Sequence, residues 1–418
     1  MLIQFELENY GSFKTKLTFS MVASSYSERS DWVLDKSVPG LSGMSYLLAA
    51  GIYGANASGK SMLIDAIATM RQMVGDSAFL MPGEQLPYNP FRLDSSSRGA
   101  DTVFELVFEH DGVRYDYLFS YNAERISREE LRRYIKKTPQ LLFAVERGGD
   151  NSVNLRITQQ MIKLKKLEEY LRSKPNSLLL SRGAQEGIAE LVDPYRWISK
   201  DLLVYEAPFN HADLSIYGPI IDGSLGEELK RKLISLARDA DLGIIDIVAK
   251  EAPQISEEHL KEIYTPEMIR KLSKITNKTA VFKHQGDEGE VEFSPYEESI
   301  GTRSFLSAAG AALMAMEDGK TLFFDEIDSS LHPTLSEELI KLFASKQWNP
   351  HGAQLIFSAH TMPLMDLLRR DQIWKTEKGA DGQSSLEPLS DYSIRKSELK
   401  SRGYEAGRYG GVPFVDFK

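Results

Sequence analysis

The sequence predicts an α/β protein whose two β-containing halves are separated by a helical segment, and three observations predict it. A mostly apolar run, "SYLLAAGIY", enters a glycine-rich loop that opens a helix. A fully apolar run far downstream, "TLFF", ends in the adjacent carboxylates Asp325-Glu326. Between them, from about 155 to 285, apolar residues recur at helical rather than alternating spacing. The chain is thereby divided into an N-terminal lobe (1–150), a helical insertion or lid (151–285) and a C-terminal lobe (286–418).

The elements follow in order. "LIQFELENY" alternates with period two and "LTFSMV" repeats the signal, with Gly11-Ser12 as the turn between two strands. After the glycine-rich loop, Leu63, Ile64, Ile67, Met70 and Val74 fall on one helical face. Residues 81–100 are rich in Pro, Gly and Ser and read as loop. "DTVFELVFEHDGVRYDYLFSY" alternates on both sides of Asp111-Gly112, a hairpin signal. In the insertion, "MIKLKKLEEYLRS", "LGEELKRKLISLARDA" and "PEMIRKLSKI" read as amphipathic helices without a long heptad array. A hairpin over "AVFKHQGDEGEVEF" returns the chain to α/β order. Next come a helix over "RSFLSAAGAALMAME", the strand "TLFF", a helix whose first turn accepts Pro333, and the strand in "AQLIFSAH".

Composition narrows the function classes. The 418 residues contain no cysteine, which removes disulfides, thiolate nucleophiles and cysteine-type zinc sites and suits a reducing compartment. The seven histidines show no HxxxH or HExxH spacing. The N-terminus lacks the basic-then-apolar layout of a signal peptide, and no run approaches the ~18 apolar residues of a membrane span, so the expectation is a soluble, cytoplasmic protein without membrane contact. A formal net charge of −10 repels nucleic acid over the surface as a whole, so any such contact needs a local patch. "EELRRYIKK" (129–137) and "KLKKLEEYLRSK" (163–174) are the basic candidates, although mixed charge on a helix more often marks a solvated face.

The chemistry is concentrated in two stretches. Gly54-Ala55-Asn56-Ala57-Ser58-Gly59-Lys60-Ser61 fits GxxxxGK[ST] between a strand and a helix. In such a loop successive backbone N–H groups and the helix N-terminus surround a β-phosphate; the lysine reaches the β/γ-phosphates, and the Ser61 hydroxyl is offered to Mg²⁺. A Mg²⁺-nucleotide also needs a carboxylate and a positioned water. Asp325 and Glu326, at the C-terminal end of a buried strand where open α/β sheets bind ligands, supply them: Asp325 for the metal, Glu326 for the water. An ordinary charged strand end would also place acids there.

Lys60 and Asp325 stand more than half the chain apart, whereas ring-forming AAA-plus ATPases and small GTPases usually carry the acidic strand much closer to the loop. The wide gap resembles the ABC-type ATPases of the SMC, RecF and OLD group. That resemblance implies an ABC-type P-loop ATPase head, a mixed sheet plus an antiparallel β subdomain, split by an insertion. It implies further motifs, which occur in order. "ESIGTRS" resembles a divergent ABC signature, with Ser299 and Gly301 at a helix start, where a plain N-cap would use the same residue types. "DSSLHP" resembles a D-loop, and His360 in "FSAH" resembles the switch histidine that contacts a γ-phosphate. The Q-loop glutamine is not assigned; Gln85 and then Gln140 are the nearest candidates.

The start "LIQFELENYGSFKTKLTFSMVAS", "LPYNPFRLD", "ADLGIIDIVAKE" and the tail "YEAGRYGGVPF" together resemble prokaryotic stand-alone AAA-family ATPases of phage-defence operons, of the RloA, AbiL and PARIS-ATPase kinds. The resemblance implies an ATP- and Mg²⁺-dependent hydrolase. It implies a homodimer, or a higher even-numbered oligomer, in which each ATP lies between the loop of one head and Ser299 and Gly301 of its partner. It further implies a switch or sensor that controls a separate effector such as a nuclease or toxin. The alternative is a DNA-repair or chromosome-maintenance clamp on duplex DNA.

Overall fold

The computed structural model describes residues 1–150, 152–205, 218–251, 278–394 and 398–411. They form two compact units. The first comprises Met1–Ala207, Ala315–Ile327 and Ile340–Lys418, the second Pro208–Met314 and Asp328–Leu339. Among the described residues no helix is long and apolar enough to cross a membrane.

The first unit contains two large sheets, besides a two-stranded one that pairs Val33–Leu34 with Tyr46–Leu47. One is antiparallel and seven-stranded, in spatial order Val153–Ile157, Gln140–Arg147, Ile126–Tyr134, Val113–Tyr121, Thr102–His110, Leu2–Glu8 and Leu17–Ser20. Asp111 and Gly112 turn its central hairpin with φ of 49° and 77°. Both positive angles are what a two-residue hairpin of the right twist demands. The other sheet has six strands in the order Leu202–Tyr205, Thr321–Phe324, Gln354–Ser358, Ala49–Gly54, Ile373–Lys378 and Ser384–Pro388. The first five are parallel and the last is antiparallel. The expected mixed sheet and antiparallel β subdomain are therefore both present.

One apolar core serves both sheets. Leu63, Ile64, Ile67, Met70 and Val74 of the helix Lys60–Asp76 are buried in a cluster with Phe5, Phe104 and Phe119 from the antiparallel sheet and Phe323, Ile356 and Trp374 from the parallel one. Phe19 links the sheets directly, its ring 5.0 Å from that of Trp374 and 6.5 Å from that of Phe323. Gln354 adds a polar tie. Its side-chain oxygen accepts from Leu2 N (2.6 Å) and Thr321 Oγ1 (3.1 Å), and its amide nitrogen donates to the carbonyls of Leu2 (3.0 Å) and Leu47 (3.1 Å). The residue is fully enclosed, so each bond replaces one that water would otherwise make.

The stretch 129–137, expected on a helix, is instead largely in the strand Ile126–Tyr134. The reason is non-local. Glu129 is fully buried and accepts the amides of Leu179 (2.6 Å) and Leu180 (2.9 Å) and the Tyr117 hydroxyl (3.0 Å). Burial pushes its carboxyl up and the Arg147 guanidinium down, and the attraction between the two opposes both shifts. The stretch 161–173, expected as an amphipathic helix, lies in a 3₁₀ segment Gln159–Leu167, kinked at Met161, that runs into the α-helix Glu168–Ser173.

The second unit holds the helix Glu227–Asp239 and a three-stranded antiparallel sheet, Ile244–Glu251, Lys278–Gly286 and Gly289–Phe293. The strand Ile244–Glu251 lies where helices were expected; its isoleucine- and valine-rich sequence pairs with Lys278–His284. The proposed helix "PEMIRKLSKI" lies outside the described residues.

Gln354→Leu leaves two carbonyls, an amide and a hydroxyl without their partner. It is expected to lower unfolding stability by roughly 3 kcal/mol, seen as a reduced denaturant midpoint. An unchanged midpoint would show that the two sheets do not depend on this tie.

Candidate functional site

The loop after Ala49–Gly54 is shaped by what stands next to it. A Cβ on Gly54 would lie 2.5 Å from the Thr376 carbonyl oxygen and 2.3 Å from Thr376 Oγ1, so only glycine fits beside that strand. Gly59 has φ +116°, and Ala57 is left-handed at 61°. Together they turn the backbone into a concave loop whose amides suit an anion. Ser58 Oγ is 2.6 Å from Thr376 Oγ1, which fastens the loop to the neighbouring strand. The helix Lys60–Asp76 then starts at Gly59 with no side-chain cap, so no capping side chain competes with a ligand at its N-terminus. Lys60 Nζ folds back to donate to the carbonyls of Gly54 (2.9 Å) and Ala55 (3.2 Å), which holds its charge over the loop.

The acidic pair is organised by one hydroxyl. Asp325 is buried, and its Oδ1 accepts a hydrogen bond from Ser358 Oγ. The same Ser358 Oγ accepts from the Glu326 amide (2.7 Å), and the Ser358 carbonyl accepts from Ile327 N (3.1 Å). Glu326 itself takes a left-handed conformation, φ 51°, uncommon for a residue with a side chain. This turn sends Asp325 inward and Glu326 outward. His360, two residues beyond the strand Gln354–Ser358, has its Nε2 3.6 Å from Glu326 Oε1.

These parts meet around one open cavity of about 640 Å³, lined by Asn56, Ala57, Gly59, Lys60, Ser61, Glu326 and His360, with Ser12, Met62 and Lys378. Gly54, Ala55 and Ser58 belong to the loop that supports it, and Asp325, buried, is not among the lining residues. The donor set suits Mg²⁺. Asp325 offers one buried carboxylate and Ser61 an exposed hydroxyl, and Mg²⁺ completes its shell with water and substrate phosphates rather than with an all-protein cage.

Ser299 and Gly301 belong to the second unit and are not among the residues lining this cavity. Ser299 Oγ accepts the Thr302 amide (3.1 Å) and lies 2.9 Å from Thr302 Oγ1, capping the helix Ile300–Glu317. A Cβ on Gly301 would stand 3.3 Å from the Ser330 carbonyl, so the helix start packs closely on the 328–331 turn. Neither Gln85 nor Gln140 lines the cavity; Gln140 instead accepts from Arg133 Nε (3.1 Å).

Five residues of the site were not singled out from the sequence: Ser358 and Thr376, which act on the loop and acids through contacts between strands, and Ser12, Met62 and Lys378. For Ser358 a signal did exist in "FSAH", where a small polar residue closes the strand just before the histidine.

A family model described as "AAA domain, putative AbiEii toxin, Type IV TA system" matches residues 49–366. Among solved structures, the chain is similar to the SMC head domain from Thermotoga maritima (14% identity, covering 94% of this chain and 99% of that one, TM-score 0.41). It is also similar to an SMC head bound to the C-terminal winged-helix domain of ScpA (12% identity, 95% and 98% covered, TM-score 0.46). No curated protein matches its sequence.

Ser358→Ala removes the hydroxyl between Asp325 and Glu326 while keeping the strand. ATP turnover is expected to fall about 10- to 100-fold, with ATP affinity within a few-fold of wild type, by steady-state hydrolysis and calorimetric titration. Unchanged turnover would mean that the bridge does not position the acids.

Proposed function

The chain belongs to this AAA domain family and is an AAA-family ATPase with a P-loop nucleotide site, and from that premise we propose that it is a Mg²⁺-dependent, dimeric ATP-hydrolysing switch that controls a separate effector in antiviral defence. The observation that carries the hydrolytic part is the single cavity in which Lys60, Ser61, Glu326 and His360 converge.

The chemistry requires positioning and neutralisation of charge rather than covalent catalysis. Loop amides and Lys60 hold the β- and γ-phosphates. Ser61 and Asp325 would hold Mg²⁺, which when bound neutralises charge on the phosphate oxygens. Glu326, turned toward the cavity, accepts a hydrogen bond from the attacking water and directs its lone pair to the γ-phosphorus. His360, beside Glu326, donates to a γ-phosphate oxygen and reports its presence. In the dimer, the helix start at Ser299 and Gly301 of one protomer closes over the γ-phosphate held by its partner, giving two composite sites related by a two-fold axis. ATP then joins the heads and hydrolysis releases them.

The family's description names a toxin of a toxin–antitoxin system, a two-component arrangement. That supports a chain that acts on or through a second protein. The effector is proposed to be a separate nuclease or toxin.

Glu326→Gln is expected to lower turnover by at least about 100-fold while ATP affinity stays within a few-fold, and to give a stable dimer in ATP and Mg²⁺ by light scattering. Adding Ser299→Arg should return it to monomer with ATP still bound. Unchanged turnover in Glu326→Gln would overturn the assignment of the water-positioning residue; an ATP-loaded monomer would overturn the composite site. A nuclease or toxin recovered in stoichiometric amount with the trapped dimer supports the effector-holding switch, whereas duplex DNA alone would favour a clamp.

A further inference from the structure

One wall of the cavity has no task in the chemistry described so far. Ser12, Met62 and Lys378 line it. The order of the parallel strands fixes which end of a nucleotide would face this wall. Glu326 and His360 follow the strands Thr321–Phe324 and Gln354–Ser358, both on one side of Ala49–Gly54. Lys378 ends the strand Ile373–Lys378 on the other side and pairs in register with Ser384. Ser384 in turn donates its amide to the Ser12 carbonyl (2.8 Å) and its hydroxyl to Ser12 Oγ (2.8 Å). A nucleotide with its γ-phosphate against Glu326 and His360 and its β-phosphate on the loop amides crosses the strand ends in one direction. Its α-phosphate leaves the loop toward Lys378.

Strand alternation makes the placement of Lys378 informative. Lys375 and Glu377 face away from the loop; Lys375 is buried and bound to Glu377 (3.0 Å), Glu387 (3.2 Å) and the Tyr392 hydroxyl (2.8 Å). Thr376 is on the other face and touches Ser58 of the loop. Lys378 is the next residue on Thr376's side. It is exposed to the cavity and has no ion-pair partner among the described residues. Of two lysines three positions apart, one is fully engaged within the fold and the other presents an uncompensated charge to the ligand space.

We infer that Lys378 is a second phosphate-binding lysine that holds the α-phosphate of the bound nucleotide, with the Ser12 hydroxyl beside it. This rests on the nucleotide reading of the cavity and adds an orientation to it. The ammonium forms a charge-assisted hydrogen bond to a non-bridging α-oxygen, a group common to ATP and ADP. It therefore strengthens retention of both without taking part in the displacement at the γ-phosphorus.

The test is calorimetric titration of the full chain with ADP and with ATP, both with Mg²⁺, for wild type, Lys378→Met and Lys378→Arg. Lys378→Met is expected to weaken ADP about tenfold and Lys378→Arg to stay within about threefold of wild type. The nucleotide-free melting temperature should be unchanged in both, because the side chain makes no contact that folding needs. Wild-type ADP affinity in Lys378→Met would overturn the inference and leave the nucleotide reading standing. A wild-type chain that binds neither ADP nor ATP would overturn that reading itself.

Discussion

The pairing of Ala49–Gly54 between Gln354–Ser358 and Ile373–Lys378 is the constraint on which the rest of the site depends. The central strand comes from the first seventh of the chain and both neighbours from the last fifth. Parallel strands cannot be joined by a tight turn, so this arrangement obliges the chain to leave the sheet and return. A cavity at the strand ends then collects residues from all three: the loop after Gly54, His360 after Ser358, and Lys378. The close approach of Thr376 to Gly54 is the local cost of that pairing, and the absence of a side chain at Gly54 accommodates it.

The buried polar groups follow the same division of labour. Gln354 makes four hydrogen bonds, two of them to Leu2 of the antiparallel sheet, and Glu129 accepts two amides at the start of the helix Leu179–Gln185. Arg369, almost fully enclosed, donates to the carbonyls of Ser24, Tyr26 and Glu28 and pairs with Asp371. Each polar side chain ties segments distant in sequence, and each is expensive to leave unmatched in a low-dielectric interior. Ser358 differs in its place rather than its kind. Its hydroxyl ends a strand at the cavity, so the same economy of bonding sets the geometry of two carboxylates.

How much of this was legible in the sequence depended on how local the cause was. The phosphate-binding loop could be read because its glycines, lysine and serine lie within eight residues and their roles follow from backbone geometry. The Asp111-Gly112 hairpin and the Asp325-Glu326 strand end were legible for the same reason. Residues 129–137 were not, because their charge pattern suits a helix face while Glu129 finds its partners some fifty residues later, at Leu179 and Leu180. Lys378 was invisible because nothing next to it distinguishes it from any surface lysine. Only the register with Ser384 and the turn at Ser12 place it beside the loop.

Ser299 shows why two readings of one residue need not compete. As a cap its hydroxyl oxygen accepts the Thr302 amide, which uses one lone pair. A serine hydroxyl has a second lone pair and one proton, and in this conformation the proton lies within reach of Thr302 Oγ1. That contact joins two hydroxyls, so the proton can turn to a stronger acceptor while Thr302 donates its own proton to the second lone pair of Ser299 Oγ. A phosphate oxygen is such an acceptor, and the cap would survive its arrival. The cap also fixes the helix start in one orientation, so a phosphate brought to it meets the amides of the first turn already aligned. The bond that stabilises the helix in the free chain is thus compatible with the contact proposed for the ATP-joined dimer, and reduces the ordering that closure has to impose.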